Sequence, residues 1–389
     1  MKRLRVLTIS KPYVASAYRH KLSLLAARGD MDISLICPPA WGHQKFEDSV
    51  PAESLSPKID IRILPILFNG KNHFHVYRGL QQTIHSLKPD IVNIEEEHYS
   101  AVTFQCVRAA IQCGARALFY TWQNIMKNYP PPFSWMERYV FTHAWAGVAG
   151  NSEAATILRE KGFAGRLREI PQMGVDIDAF APTSHSAGQR QAQKRKVGLD
   201  ETAFWIGFAG RLVEEKGIHD LLRALYLVPE HLNVRVVIIG SGPQEEDLHR
   251  HIESLAIAEK IRFVPFVKSC DMPGWLQALD VLCLPSLTRS NWKEQFGRVL
   301  VEAMAAEAVV VGSSSGEIPR VIGDGGVVFP EGDHVQLGKI FTELASDPAQ
   351  RESLQSKAAI RVRKNFSNAV LADRFADLFH EVAAASSRT

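Results

Sequence analysis

The sequence predicts an α/β protein with two doubly wound parallel sheets, each in a domain of its own. The chain has 389 residues, which is the length of roughly two to three ordinary domains. Its first half alternates short apolar runs with helix-like segments, which is typical of parallel strands covered by helices on both faces. The same alternation resumes after residues 182–196, a polar stretch rich in lysine, glutamine and serine that we interpret as a linker.

The strands of the first domain are predicted from apolar runs. These runs are Arg5–Ile9, Ile33–Cys37, Ile61–Ile66, Ile91–Ile94, Ala117–Tyr120 and Ala144–Ala149. The first run is too short for the apolar region of a signal peptide. No window approaches the roughly 18 uninterrupted apolar residues that a membrane-spanning helix needs. We therefore expect a cytoplasmic protein.

The composition is that of an ordinary globular protein, with 46% hydrophobic and 22% charged residues. A formal net charge of +3 is too small to predict a nucleic-acid partner. Residues 1–180 contain more Lys and Arg than Asp and Glu, which suits a peripheral contact with an anionic membrane surface. Ordinary scatter of surface charge explains the same excess.

The five cysteines form no C-x-x-C pair. We expect them to be buried free thiols, which indicates a reducing compartment.

An acidic stretch, Pro89–Tyr99, is the most informative part of the first half. We expect its strand to end at Ile94 and to deliver three glutamates and a histidine to the carboxyl edge of the sheet. Adjacent negative charges are mutually costly unless cations or hydroxyl-rich ligands lie nearby. Glu95, Glu96 and His98 are therefore candidates for binding an acceptor. The alternatives are a solvated loop for the carboxylates and a structural role for His98.

A second acceptor-side candidate follows the strand Ala117–Tyr120. Trp122 and Asn124 combine a flat apolar surface with an amide, a pairing that suits a sugar or glycolipid acceptor. The alternative is a tryptophan that fills a wall between domains.

In the second half, residues 204–218 indicate a buried strand, a Gly210–Arg211 turn and a helix that begins after Gly217. Open parallel sheets bind ligands at the carboxyl ends of their strands, where Arg211 and Lys216 are expected. An arginine fork with a lysine point charge suits a diphosphate. Gly240 and Gly242 form a glycine turn after the next strand and are further binding candidates.

Glu294 and Glu302 are eight positions apart, with an apolar helical pattern between them. A helix that begins near Phe296 or Gly297 would place its free N–H groups and positive dipole end beside Glu294, which makes an anion site. A ligand with a central phosphate and hydroxyl groups at both ends, such as a nucleotide sugar, would meet one carboxylate at each end. The alternative is a surface helix with two solvated glutamates.

Together, these motifs of the second half resemble the nucleotide-binding half of retaining glycosyltransferases of the GT-B fold, the large family four. The resemblance implies two doubly wound domains facing an interdomain cleft, with an acceptor-side domain at 1–180, a linker at 181–201 and a nucleotide-sugar domain at 202–365. Residues 366–389 would form a helix that crosses back to the first domain. The implied reaction moves a sugar from a UDP-, GDP- or ADP-sugar to a hydroxyl of a glycan, glycolipid or small molecule, with retention of configuration.

The resemblance also implies a role for each site residue. Arg211 and Lys216 would neutralise the departing diphosphate, and Glu294 would hold sugar hydroxyls; these are the catalytic candidates. Glu302 would bind the ribose hydroxyls. The loop after the first strand, where family members often have glycine, has none here; the small residues Ala15, Ser16 and Ala17 would allow close approach, and Ser16 is the donor-binding candidate.

We expect no metal and no cofactor besides the nucleotide-sugar substrate. Asp176 and Asp178 match the D-x-D pattern of metal-dependent transferases. Their surroundings resemble a domain-exit turn, and Arg211 and Lys216 already supply positive charge. A nucleotide-sugar epimerase of the same fold and a non-catalytic nucleotide-sugar-binding protein remain alternative functions.

Overall fold

The computed structural model describes residues 3–46, 59–182 and 187–385, with the backbone alone at Ala187. The chain forms two compact units. The first comprises Met1–Gly174 together with Asn368–Thr389, and the second comprises Val175–Ser367. Each unit is built on its own parallel sheet.

The described part of the first unit has eleven strands and six α-helices. They are β1 (Leu4–Ile9), α1 (His20–Ala27), β2 (Met31–Cys37), β3 (Ala40–Trp41), β4 (Gln44–Lys45), β5 (Asp60–Ile63), β6 (Ile66–Leu67), β7 (Val76–Tyr77), α2 (Leu80–Leu87), β8 (Ile91–Glu97), α3 (Ala101–Gln112), β9 (Arg116–Thr121), α4 (Phe133–His143), β10 (Ala146–Ala149), α5 (Ser152–Glu160), β11 (Arg166–Glu169) and, from the end of the chain, α15 (Asn368–Ala384).

Seven of these strands form a parallel sheet in the order β11-β10-β9-β8-β1-β2-β5. Each of the six apolar runs contributes a strand to this sheet, although β5 ends at Ile63 and the last residue of the run Ile61–Ile66 begins β6, in a separate two-stranded sheet. The sequence prediction missed β11, whose residues Arg-Leu-Arg-Glu contain no apolar run because this strand lies at the edge of the sheet.

Successive residues of a strand point to opposite faces of a sheet, and both faces of this one are covered. Val6 packs in one apolar cluster with Leu22 of α1 and Phe375 of α15. The adjacent Leu7 packs in another cluster with residues of α2 and α3. The first unit is therefore doubly wound, and α15 supplies part of its core.

The second unit has the remaining strands and α-helices of the described chain. They are α6 (Ile177–Phe180), α7 (Ala187–Lys196), β12 (Phe204–Ala209), α8 (Ile218–Tyr226), β13 (Val234–Ile239), α9 (Glu245–Ser254), β14 (Ile261–Val264), α10 (Met272–Gln277), β15 (Val281–Leu284), α11 (Arg298–Ala305), β16 (Val309–Ser313), α12 (Ile318–Ile322), β17 (Gly326–Phe329), α13 (His334–Ser346) and α14 (Pro348–Asn365). Its six strands form a parallel sheet in the order β14-β13-β12-β15-β16-β17.

The segment predicted as a linker, 181–201, instead contains helix α7; residues 183–186 lie outside the described residues. Arg190 donates to the carbonyls of Leu279 and Glu307, and Lys194 pairs with Asp280 at 2.7 Å. The residues of α7, mostly Ala, Gln, Lys and Arg, have high helix propensity. Polar composition alone therefore did not distinguish a flexible linker from a polar helix fixed by hydrogen bonds.

All five cysteines are free thiols, and all lie among the described residues. Cys37, Cys106 and Cys283 are buried as expected, whereas Cys113 is half-buried and Cys270 is exposed. In the part of the chain that the structure describes, no helix has both the length and the apolar character needed to span a membrane.

Candidate active site

Two loops of the second unit leave the sheet where its strand order reverses. β12 lies between β13 and β15, so the connections that follow β12 and β15 run to opposite sides. In open parallel sheets such loops part at the carboxyl edge and leave a crevice for a ligand. The loop after β12 contains Arg211 and Lys216, and the loop after β15 contains Glu294. The predicted cations and the first predicted glutamate therefore lie at one edge of one sheet.

Lys216 and Glu294 form an ion pair across these two loops. The Nζ atom of Lys216 lies 2.6 Å from Oε2 of Glu294, and the two residues are 78 positions apart in the chain. The buried Ser286 hydroxyl donates to the same Oε2 at 3.0 Å. Hydrogen bonds to an ionised carboxylate are stronger than neutral ones. The Glu294 carboxylate is therefore held by an ammonium and a hydroxyl together.

Backbone contact between the two loops requires a glycine at 217. Gly217 has φ 65°, and a Cβ atom there would lie 1.9 Å from the Pro285 carbonyl oxygen. The Leu287 amide donates to the Glu215 carbonyl at 2.8 Å. Gly217 also precedes α8, as the sequence predicted. This close approach brings Lys216 within reach of Glu294.

A third loop, after β16, fixes the backbone of Glu294. The Glu317 amide donates to the Glu294 carbonyl at 3.1 Å. Gly316 has φ 52°, and a Cβ atom there would lie only 2.0 Å from the same carbonyl oxygen. Both the main chain and the carboxylate of Glu294 are thus held by neighbouring loops.

Arg211 is exposed, and its guanidinium makes no hydrogen bond or ion pair with any described residue. Its loop passes directly over the glycine turn after β13. A Cβ atom on Gly240 would lie 1.9 Å from the Gly210 carbonyl oxygen, and one on Gly242 would lie 2.4 Å from that of Leu212. The close contact between the two loops explains why residues 240 and 242 are glycines. The predicted contact of Gly240 and Gly242 with a phosphate stays a prediction.

Helix α11 begins at Arg298, with Gly297 before it at φ 72°, where the sequence predicted a helix start. Phe296 is buried, and its ring centroid lies 5.7 Å from that of Phe366, so only its backbone can face a ligand. Glu302 pairs with Arg298 at 2.8 Å. Burial raises the pKa of the Glu302 carboxyl above its ordinary value, although the Arg298 guanidinium acts in the opposite direction.

The acidic stretch of the first unit has a different arrangement from the one expected. β8 continues to Glu97, with a bulge between Ile94 and Glu97, so the strand does not end at Ile94. Glu95 accepts from Lys21 Nζ and from the Tyr13 hydroxyl, both at 2.8 Å.

The other two carboxylates have partners of their own. Glu96 pairs with Lys11, and Glu97 accepts from the Thr121 hydroxyl at 2.6 Å. Glu95 and Glu96 are both buried. These two carboxylates are therefore not presented at the surface as an acceptor-binding pair, because each is neutralised by a lysine of the same unit.

His98, Trp122 and Asn124 are also largely interior. His98 is fully buried, and its Nε2 lies 2.9 Å from Glu137 Oε1. The half-buried Trp122 donates its indole N–H to the Gln172 side chain at 3.0 Å, and Asn124 is buried. For His98 this geometry favours the structural alternative. Trp122 alone of the three keeps a partly exposed surface.

The conformation of the loop after β1 shows why this loop needs no glycine. Two short 3-10 helices, Lys11–Val14 and Ser16–Tyr18, form this loop, and none of their residues has a positive φ. The buried Tyr13 holds the loop through its hydrogen bond to Glu95. Ser16 is half-buried at the start of the second 3-10 helix.

Asp176 has a structural role at the start of the second unit. Its carboxylate accepts from the Ala179 amide at 3.2 Å and caps α6. Within residues 3–46, 59–182 and 187–385, no group of three or more His, Cys, Asp or Glu side chains is placed to hold a metal ion.

Sequence reasoning missed three residues of this site. Ser286 follows an apolar strand and has no motif of its own, Trp292 lies in a polar loop, and Gly316 is one of many glycines. The Trp292 ring centroid lies 5.0 Å from Lys216 Nζ. The one sequence feature that indicates the loop with Gly316 is a cluster of small residues after β16.

The comparison with solved structures identifies the fold. The structure of Anabaena HepE in complex with UDP matches this chain with a TM-score of 0.74 at 19% identity, over 98% of this chain and 100% of HepE. With two doubly wound units, the chain has the GT-B fold.

Residues 189–361 match the family model described as glycosyl transferases group 1, and this segment belongs to that family. The GDP-mannose-dependent monoacylated alpha-(1-6)-phosphatidylinositol monomannoside mannosyltransferase of Corynebacterium glutamicum is 26% identical over 209 residues, which are 53% of this chain and 54% of that protein. The D-inositol 3-phosphate glycosyltransferase of Streptomyces avermitilis is 31% identical over 218 residues, which are 53% of this chain and 45% of that protein. The chain spans about half the length of the curated relatives it matches.

The contact between Gly316 and Glu294 predicts a specific loss of stability. Gly316→Ala should lower the free energy of unfolding by about 2 to 5 kcal/mol, because it combines a left-handed backbone with a clash against the Glu294 carbonyl. Gly332 is the matched control, since it has φ 76° but open space around a Cβ atom. Gly332→Ala should cost only about 1 kcal/mol. Denaturant unfolding measures both, and equal losses would show that Glu294 does not depend on this contact.

Proposed function

We propose that the protein is a glycosyltransferase that moves a sugar from a nucleotide diphosphate to a hydroxyl group with retention of configuration. The ion pair between Lys216 and Glu294 at the switch point of the second sheet is the observation that supports this most directly. It places a cation suited to a diphosphate within 2.6 Å of a carboxylate suited to sugar hydroxyls. The relatives named above are a mannosyltransferase and a glycosyltransferase.

The proposed reaction needs positive groups near the departing phosphate. When the glycosidic bond to the diphosphate breaks, negative charge grows on the departing phosphate. Arg211 and Lys216 would stabilise that charge, and the first amides of α11 would add to the effect. No described side chain at this edge is an obvious nucleophile. The departing phosphate would itself accept the proton of the acceptor hydroxyl.

The two glutamates would bind opposite ends of the donor. Glu294 lies beside Lys216, so it belongs at the end where the sugar leaves. Glu302 lies further along α11 and would accept from the ribose hydroxyls, in exchange for its present pairing with Arg298. Neither alternative function, epimerase or non-catalytic binding protein, draws support from the relatives named above.

The first unit has exposed aromatic side chains that suit contact with a lipid-linked acceptor. Phe74 and Trp135 are 54% and 66% exposed, and the rings of Phe74 and Phe133 lie 5.0 Å apart. Lys127 is exposed nearby. Burial, with a smaller contribution from Lys127, lowers the pKa of His73. Aromatic side chains beside cations suit the interface of an anionic bilayer. We propose that this unit contacts such a surface and takes its acceptor from it.

Turnover tests the donor site. After a thermal-shift screen of UDP-, GDP- and ADP-sugars has identified the donor, Arg211→Ala should lower turnover by about two to three powers of ten, because it removes one charge-stabilising donor. Arg250→Ala, on the exposed face of α9, is the control and should leave turnover unchanged. Glu294→Gln should mainly lower kcat, and Glu302→Gln should mainly raise KM. Normal turnover in Arg211→Ala would remove the diphosphate assignment.

A chelator tests the expected independence of metal. Positive charge from Arg211, Lys216 and a helix N-terminus would replace the charge that a metal brings to the diphosphate. Turnover should therefore be the same with EDTA as without it. Loss of turnover with EDTA, restored by manganese or magnesium, would instead assign Asp176 and Asp178 as ligands.

Vesicle sedimentation tests the membrane surface. The protein should bind phosphatidylglycerol vesicles at low salt, and the double change Phe74→Ala, Trp135→Ala should weaken binding about tenfold or more, because two aromatic side chains that would insert into the bilayer are lost. Phe266, which is 75% exposed in the second unit, provides the control Phe266→Ala. Equal binding by all three proteins, or none by the wild type, would contradict the proposal.

A further inference from the structure

The Lys216 ammonium has two neighbours of different kinds. Glu294 Oε2 lies 2.6 Å from Nζ, and the Trp292 ring centroid lies 5.0 Å from the same atom. A cation within about 6 Å of an aromatic ring centroid is attracted by the ring's quadrupole. The Glu294 carboxylate can also accept hydrogen bonds from sugar hydroxyls, which would compete with its attraction to Lys216. The face of the Trp292 ring forms no such hydrogen bonds, so its attraction to Lys216 meets no competition.

Trp292 is held at this place by a small hairpin that is tied to the loop of Lys216. The Arg289 amide donates to the Trp292 carbonyl at 2.7 Å, and the Trp292 amide donates back at 3.3 Å. The Arg289 guanidinium pairs with Glu214 at 2.7 Å. Glu214 begins the 3-10 helix Glu214–Lys216 that ends with the lysine itself. The indole ring and the ammonium are therefore positioned by connected segments.

We propose that Trp292 is a positioning residue for Lys216 and thereby sets the affinity for the donor diphosphate. The inference rests on the function proposed above. In the donor complex Lys216 would face the diphosphate while Glu294 holds sugar hydroxyls, so the ion pair alone would no longer fix the lysine. The lysine chain has several rotatable bonds and would then lose its fixed direction. Attraction to the Trp292 ring keeps the ammonium at the carboxyl edge of β12, where the diphosphate arrives.

Calorimetry with UDP, GDP and ADP tests this on the full chain. Trp292→Leu should weaken binding of the preferred nucleoside diphosphate by about five- to thirtyfold, which is the range expected for loss of one cation–π contact. Trp292→Phe keeps an aromatic face and should stay within about threefold of the wild type. Binding by Trp292→Leu equal to that of the wild type would overturn the proposal, as would equal losses in the two variants.

A double change separates positioning from general packing. In a Lys216→Met background, Trp292→Leu should cause little further loss of nucleotide binding, because the contact has already been removed. Independent, additive losses would mean that Trp292 acts by another route and would overturn the inference. Failure of the proposed donor site gives a different result: the wild type would then bind none of the three nucleoside diphosphates.

Discussion

A single carboxylate oxygen organises the carboxyl edge of the second sheet. Oε2 of Glu294 receives both the Lys216 ammonium and the Ser286 hydroxyl. The pair is largely removed from water, with side-chain exposures of 19% for Lys216 and 10% for Glu294. Taking charges out of water is costly, and the pairing persists only with good geometry and further hydrogen bonds. The glycines at 217 and 316 provide that geometry, because each lets one backbone approach another without a side chain between them.

The first unit also has a buried ion pair between a lysine and a glutamate at its own sheet, but in a different environment. Lys21 and Glu95 are both almost fully buried, and Tyr13 supplies the additional hydrogen bond. Desolvation lowers the pKa of Lys21, although Glu95 opposes that shift. Here the ion pair is enclosed by the unit's own core and holds the loop after β1. The pair in the second unit lies instead at the carboxyl edge of its sheet, and its lysine is on the same loop as the exposed Arg211.

Features that depend on neighbouring residues, such as strands and helix starts, could be predicted from the sequence. Contacts between residues far apart in the chain could not. Buried strands such as β12 are apparent as apolar runs, and the helix starts after Gly217 and Gly297 follow from local patterns. The burial of Glu95 could not be foreseen, because its partners Tyr13 and Lys21 are 82 and 74 positions away. Lys216 and Glu294 were assigned to one ligand through a resemblance, but only the folded loops show that they pair directly.

The arrangement of the chain sets the order in which the two cores can be completed during synthesis. The core of the first unit includes Leu371, Phe375 and Phe379 of α15, which follow the entire second unit in the sequence. A growing chain therefore contains every residue of the second unit before it contains the last ones of the first. Until α15 emerges, the apolar face formed by α1 and β2 lacks its native cover and is open to chaperones or to other chains. The amino-terminal unit is thus the last to close.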